Sequence, residues 1–105
     1  MIKEVFDERK HKSGSCVYLI KEKHTDSYKI GKSTDVKRRL NGLQVANPNE
    51  LKLVGYYWSD EAKKEESQFK ADYKDKNIRG EWFKLNGCDV VSILNEFKKR
   101  IIPEY

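Results

Sequence analysis

Cysteines, prolines and long apolar runs are scarce in this chain. Its 105 residues include two cysteines, two prolines and one methionine, and the longest apolar run covers only residues 16–20. A membrane-spanning helix needs about 20 apolar residues, so we expect no membrane partner and an intracellular protein. Cys16 and Cys88 lie far apart and outside any CxxC or Cys/His cluster. We therefore expect two reduced thiols and neither a zinc site nor a disulfide framework.

Positive charge is the main bias of the composition. The chain has 22 basic and 17 acidic residues, a net charge of +5. A basic excess favours polyanionic partners, but lysines spread over a surface that binds nothing give the same excess. Aromatic residues make up 11% of the chain, which favours a packed domain over a disordered basic tail.

The length is that of one domain. We predict an N-terminal basic extension over residues 1–14, with a short helix that turns Ile2, Val5 and Phe6 inward. The remaining residues, 15–105, are predicted to form a single domain that ends in a helix.

The hydrophobic pattern predicts the element order β-β-α-β-α-(β)-α. Strands are predicted at residues 16–21, 28–31 and 51–58, with a turn at 77–80 and a short extended piece at 81–85. Helices are predicted at residues 36–44, capped by Ser33 or Thr34, at 59–73, and from Asp89 onward. We expect an α+β fold in which a small three-stranded antiparallel sheet is flanked by helices.

Glu66 breaks the pattern of its own helix. Ala62, Phe69 and Tyr73 share one face of the predicted helix, and Glu66 falls in the middle of that apolar stripe. Its neighbour Glu65 falls about 60° to one side. A carboxylate that faces inward is costly unless it is paired, hydrogen-bonded or bound to a metal ion. Glu66 is therefore a candidate site residue.

Two further candidates follow from neighbouring elements. A hairpin turn near His24 brings Tyr18 back beside residues 29–31, and so near Lys29 if the register puts both side chains on one face. In the helix at 36–44, Arg39 lies on the flank of the apolar stripe, whereas Arg38 points to solvent.

These residues resemble the GIY-YIG endonuclease superfamily. Cys16-Val17-Tyr18 corresponds to its first motif and Lys29-Ile30-Gly31 to its second, with Lys29 where the family has tyrosine. Arg39 follows Gly31 by eight residues, and Glu66 precedes the block Gly80-Glu81-Trp82-Phe83 by fourteen. The pattern is most similar to a phage-associated subfamily often labelled a DNA-binding domain.

The resemblance implies a metal-dependent DNA endonuclease. Its catalytic residues would be Tyr18, Lys29, Arg39 and Glu66, with Glu66 holding Mg²⁺, for which Mn²⁺ substitutes. Tyr18 would accept a proton from the attacking water or orient it, helped by nearby cations that favour the phenolate. The nucleic-acid-binding residues would be Lys32, Ser33, Lys37 and Arg38, although Lys37 and Arg38 also fit a solvated surface.

Other interpretations of the same residues stay open. Tyr18 fits a packing role in the hairpin, Arg39 fits an ordinary surface position, and Glu66 fits a buried ion pair with Arg39 or Lys29. The main alternative function is a DNA-binding module that does not cleave, and a weaker one is a regulatory protein that binds a partner. So small a chain has little surface for reading sequence, so we expect either limited intrinsic specificity or specificity supplied by a homodimer or a protein partner.

Overall fold

Six strands form one sheet that carries three helices. The computed structural model describes residues 3–9 and 14–101. The strands are β1 (Val5–Phe6), β2 (Ser15–Glu22), β3 (Ser27–Ser33), β4 (Leu51–Ser59), β5 (Asn77–Arg79) and β6 (Trp82–Lys84). The helices are α1 (Val36–Val45), α2 (Ala62–Asp72) and α3 (Gly87–Ile101), with a 3₁₀ turn at Lys74–Lys76. None of the helices in these ranges is long and apolar enough to cross a bilayer.

The sheet is mixed, with the strand order β1-β4-β2-β3-β6-β5. β1 runs parallel to β4, and all other neighbouring strands are antiparallel. The predicted three-stranded antiparallel sheet is therefore wrong. Residues 77–80, predicted as a turn, contribute β5, and the predicted extended piece is β6, which joins β5 to β3. Strands of two or three residues are too short to show an alternating pattern, and they form because a neighbouring strand pairs with them.

The predicted N-terminal helix is also wrong where the structure describes it. Val5 and Phe6 form a strand beside Gly55 and Tyr56 of β4. Residues 1–2 and 10–13 of the predicted extension, Ile2 among them, lie outside the described residues.

A buried carboxylate holds this N-terminal segment against β4. The side chain of Asp7 is fully buried, and its Oδ2 accepts a hydrogen bond from the backbone N–H of Trp58 at 2.8 Å. Arg9 donates to the same oxygen through Nη2 at 2.7 Å. Burial alone would raise the pKa of Asp7, but the hydrogen bonds from Arg9 and Trp58 hold it below the ordinary value of 3.8.

The β2–β3 hairpin confirms the predicted turn and sets the faces of the sheet. His24 sits in the turn with a φ of 70°. Tyr18 lies opposite Gly31, and Ile20 lies opposite Lys29. Directly opposed residues share a face, as do residues two apart on one strand. Tyr18 and Lys29 therefore lie on the same face of the sheet.

Both faces of the sheet are covered. The face that carries Tyr18 packs against α1, in a core completed by Cys16, Ile20, Val36 and Leu51. The opposite face packs against α2 and α3, and its core includes Val17, Leu19, Ile30, Phe69 and Phe97. Because β2 is buried on both sides, its sequence is an almost unbroken apolar run.

Candidate active site

The phenol of Tyr18 lies directly over Gly31 on the neighbouring strand. Tyr18 is only 1% exposed. A Cβ atom placed on Gly31 would lie 2.5 Å from Cζ of Tyr18 and still closer to its Oη. Any side chain at position 31 would therefore have to displace the ring. Glycine is required here by the steric contact with Tyr18 and not by the backbone conformation, since the φ of Gly31 lies outside the left-handed region that favours glycine.

Burial also decides the protonation state of this phenol. Desolvation raises the pKa of Tyr18 to about 12; Arg39 acts to lower it, and Glu81 and Glu66 act to raise it. Of the cations expected to favour the phenolate, Arg39 is the one that lowers the pKa of Tyr18. Burial raises this pKa by more than Arg39 lowers it.

Lys29 is a buried lysine with a carboxylate partner. Its side chain is 10% exposed, and its Nζ donates to Oε1 of Glu81 at 2.8 Å. The ammonium also lies 5.8 Å from the centroid of the Trp82 ring. Glu81 belongs to the turn between β5 and β6, and β6 pairs with β3 so that Lys29 and Trp82 are opposite each other. The sheet thus fixes which carboxylate reaches Lys29.

Glu66 is buried as predicted, and its partner is Lys70. The Glu66 side chain is 10% exposed, and its Oε1 accepts a hydrogen bond from Nζ of Lys70 at 3.1 Å. Among the described residues, neither Arg39 nor Lys29 pairs with it, which excludes the predicted alternative of an ion pair with either. Lys70 also donates to Oε2 of Glu81.

The two lysines and two carboxylates form one connected cluster: Lys29, Glu81, Lys70 and Glu66, in that order. Burial disfavours the charged forms, but the hydrogen bonds raise the pKa of Lys70 above 10.5 and lower the pKa of Glu81 below 4.5. Both groups are therefore charged at neutral pH.

Glu65, the neighbour of Glu66, contacts other residues. Its Oε1 accepts a hydrogen bond from the phenol of Tyr57 at 3.1 Å, and its Oε2 pairs with Arg100 at 2.9 Å. These contacts join α2 to β4 and α3. The prediction that Glu66, and not Glu65, lies within the buried stripe of α2 is confirmed, since Glu66 is buried with Ala62 and Phe69.

Arg39 projects from the first turns of α1. The N-cap of that helix is Asp35, whose Oδ1 accepts a hydrogen bond from the backbone N–H of Arg38 at 3.1 Å. The predicted caps Ser33 and Thr34 lie just before it. The Ser33 hydroxyl accepts a hydrogen bond from the backbone N–H of Asp35 and donates to its carbonyl. Arg39 is exposed and forms no ion pair with any described residue.

An open depression lies beside this guanidinium. It has a volume of about 470 Å³ and is lined by Ser33, Thr34, Asp35, Arg38, Arg39, Gly42 and Leu43. Lys32, Lys37 and Arg38 are exposed near it, and within the described residues none of the three forms an ion pair. The surface around the start of α1 is therefore rich in cations free to meet an anion.

The acidic groups present suit a hard divalent cation. Within residues 3–9 and 14–101, no group of three or more His, Cys, Asp or Glu side chains is placed to hold a metal ion. Mg²⁺ commonly uses only one or two protein carboxylates, completing its shell with water and phosphate oxygens. Glu66 and Glu81 are two such carboxylates. Only Lys70 among the described residues donates to Glu66, so its Oε2 has no protein donor.

Of the four residues predicted to be catalytic, Tyr18 and Lys29 lie on one face of the sheet. The charge of Arg39 lowers the pKa of the Tyr18 phenol, and the charge of Glu66 raises it. Glu81 and Lys70 were not predicted as site residues. Lys70 follows Glu66 by four residues, a spacing that places the two on one helical face.

Comparison with known proteins places most of the chain in one family. The family model of the T5orf172 domain matches residues 15–99. The search of curated proteins found no match, and neither did the search of solved structures. The matched range includes β2 to β6 and nearly all of α3, and so every residue of the cluster described above. The chain belongs to the T5orf172 domain family, a phage-associated and DNA-related family.

Proposed function

We propose that this protein is a metal-dependent DNA endonuclease with a site of the GIY-YIG type. The observation that carries the proposal is the buried phenol of Tyr18, which lies over Gly31 and whose pKa is shifted by the charges of Arg39 and Glu66. Membership of a phage-associated, DNA-related family supports DNA as the substrate. The reaction is hydrolysis of a phosphodiester in one in-line step. The oxygen of water bonds to phosphorus and loses its proton to solvent, the bond to the leaving deoxyribose oxygen breaks, and the leaving oxygen takes a proton from solvent.

Arg39 binds the scissile phosphate in this proposal. Its guanidinium is exposed and has no ion-pair partner among the described residues. A planar guanidinium can donate two parallel hydrogen bonds to phosphate oxygens and stabilise the negative charge that grows on them.

Tyr18 orients the attacking water as a neutral phenol. With a pKa of about 12, only about one phenol in 100,000 is ionised at pH 7. Tyr18 therefore acts through hydrogen bonds from its hydroxyl and not as the final acceptor of the water proton. The tight contact with Gly31 holds that hydroxyl in one position.

Glu66 provides the metal ligand. Its Oε2 is free of protein donors within the described residues, and carboxylate oxygen is the donor type that Mg²⁺ and Mn²⁺ prefer. A bound divalent cation would add positive charge at the phosphate. Lys29, held by Glu81, contributes a fixed positive charge on the same face of the sheet.

The exposed residues Lys32, Lys37 and Arg38 hold the DNA backbone in this proposal, and Ser33 borders the same depression. Binding through such contacts weakens as salt rises, with a slope set by the number of phosphates neutralised.

A plasmid-nicking assay tests the proposal. Supercoiled DNA is incubated with Mg²⁺ or Mn²⁺, with and without EDTA, and the wild type is compared with Glu66→Gln and Glu61→Gln. Glu61 is an exposed residue just before α2 with no side-chain capping bond, so it is a matched control. We expect nicking that is lost with EDTA and in Glu66→Gln and is retained in Glu61→Gln. Full activity in a folded Glu66→Gln protein would refute the assignment.

A second candidate function is a DNA-binding module that does not cleave. It is favoured by the neutralisation of Glu66 and Glu81 by lysines. This alternative predicts a protein that retards the plasmid on a gel in a salt-dependent manner and leaves it supercoiled with either metal ion.

A further inference from the structure

One ammonium group joins the two carboxylates of the site. Nζ of Lys70 donates to Oε1 of Glu66 at 3.1 Å and also to Oε2 of Glu81. Glu66 lies on α2, whereas Glu81 lies in the turn between β5 and β6. The two carboxylates therefore come from separate elements and meet at a single cation.

We propose that Lys70 occupies the position at which a divalent cation binds between Glu66 and Glu81. Glu81 is then a second carboxylate of the metal site, and the metal ion binds by releasing the Lys70 ammonium. This inference rests on the proposed function in one respect, the assignment of Glu66 as a metal ligand.

The balance of charge favours such an exchange. In the free protein, Lys29 and Lys70 neutralise Glu66 and Glu81, so the cluster has no net charge. Replacing Lys70 with a divalent cation leaves the cluster itself, without Arg39, with one excess positive charge, which is equal and opposite to the charge of one phosphodiester. If Lys70 stayed in place, the loaded site would keep an uncompensated positive charge, which is costly where water is partly excluded.

Lys70 and Lys29 differ in how easily their ammonium groups can move out of the cluster into solvent. The Lys70 side chain is 25% exposed, and its four-carbon stem gives the ammonium a path to solvent. The Lys29 side chain is 10% exposed, and its ammonium lies beside Trp82 as well as Glu81. Lys70 is therefore the exchangeable cation, and Lys29 stays in the site.

Mn²⁺ binding to the DNA-free protein tests this inference without any measurement of cleavage. The relaxation rate of water protons, or calorimetry, gives the affinity of the wild type, Lys70→Met and Lys63→Met. Lys63 is exposed on the same helix and has no ion pair among the described residues, so its substitution makes the same charge change away from the site. Because the Lys70 stem can swing away, only part of the repulsion between charges about 4 Å apart is recovered on its removal. We expect about tenfold tighter Mn²⁺ binding in Lys70→Met and no change in Lys63→Met.

Two further measurements keep the inference testable if Lys70→Met does not fold. Glu81→Gln should bind Mn²⁺ about tenfold more weakly, since the site loses one of its two charged ligands. In the wild type, Mg²⁺ should shift the ¹³Cε–¹Hε signal of Lys70 and leave that of Lys63 unchanged.

The possible outcomes separate this inference from the proposed function. If the wild type binds no Mn²⁺, or if Glu66→Gln binds it equally well, Glu66 is not a metal ligand and both fail. If Glu66→Gln loses Mn²⁺ while Lys70→Met binds no tighter than Lys63→Met, only the exchange at Lys70 is refuted. Mn²⁺ affinity that is unchanged in Glu81→Gln would remove Glu81 from the site.

Discussion

Replacing Gly31 with alanine tests the contact that positions the candidate catalytic phenol. The new methyl group would lie 2.5 Å from Cζ of Tyr18, well inside van der Waals contact. Tyr18 is 1% exposed and has little room to retreat. Forcing an extra methyl group into a packed core costs about 2 kcal/mol, and we expect the free energy of unfolding to fall by this amount.

A double-mutant cycle separates the clash from other effects of the substitution. Tyr18→Leu removes Oη, Cζ and Cε1, the three side-chain atoms that the methyl group would meet. In the Tyr18→Leu background, Gly31→Ala should therefore cost about 0 kcal/mol, which gives a coupling energy of about 2 kcal/mol. Gly42→Ala is the control, because nothing lies within 4 Å of an added Cβ there. That substitution should stabilise α1 by about 0.5–1 kcal/mol.

Urea unfolding followed by circular dichroism and tryptophan fluorescence gives all of these values. Equal costs of Gly31→Ala in the wild-type and Tyr18→Leu backgrounds would refute the steric explanation. A stabilising effect of Gly31→Ala in the wild type would refute the position of the ring itself.

Two further predictions concern charged residues. Arg39→Ala should slow single-turnover nicking by about 100-fold, the usual cost of a lost charge-stabilising donor. Arg38→Ala should mainly make DNA binding more sensitive to salt. Equal losses of rate in the two variants would contradict the separation of their roles. Asp7→Asn should lower the free energy of unfolding by about 2 kcal/mol at pH 7, because the N–H of Trp58 and the guanidinium of Arg9 lose a charged acceptor. Since the folded pKa of Asp7 lies below 3.8, its contribution is present above pH 3.8 and disappears as the pH falls through the folded pKa. The variant should then show a weaker loss of stability between pH 5 and pH 2 than the wild type in urea unfolding, and an identical loss would refute this account.

The long elements could be predicted because their hydrophobic periods are visible in the sequence. β2, β3, β4 and α1 were predicted to within one or two residues, and α2 to within three. The start of α3 was predicted too late. The Asn86 side chain accepts a hydrogen bond from the backbone N–H of Asp89, and Asp89 accepts one from the backbone N–H of Asn86. This reciprocal pair begins the helix at Gly87, whereas Asp89 alone had been predicted as the cap.

The short strands at the two edges of the sheet could not be predicted in the same way. β1, β5 and β6 have two or three residues each, so none shows a period of two. Ile78 of β5 is 54% exposed, and its apolar side chain therefore gives no sign of an inward face. Pairing with a distant strand, and not local preference, decides the conformation of such segments.

Dependence on distant strand pairing also explains which site residues could not be predicted. Glu66 was visible because it interrupts an apolar stripe, and Tyr18 and Lys29 because a hairpin joins them. Glu81 reaches Lys29 only through the pairing of β6 with β3, and that pairing has no local signal. The role of Lys70 as a bridge between two carboxylates depends on the position of Glu81 beside Glu66.

The contact between Lys29 and Glu81 has a consequence for the newly made chain. A ribosome that has translated the first sixty codons has already produced the β2–β3 hairpin and α1, and with them Tyr18, Lys29 and Arg39. The acidic half of the cluster, Glu66 and Glu81, follows later. At synthesis rates of about 5–20 residues per second, Lys29 exists for seconds before its partner Glu81 is made, 52 residues later. A nascent or prematurely released chain can therefore offer cations to a polyanion before it contains a complete site.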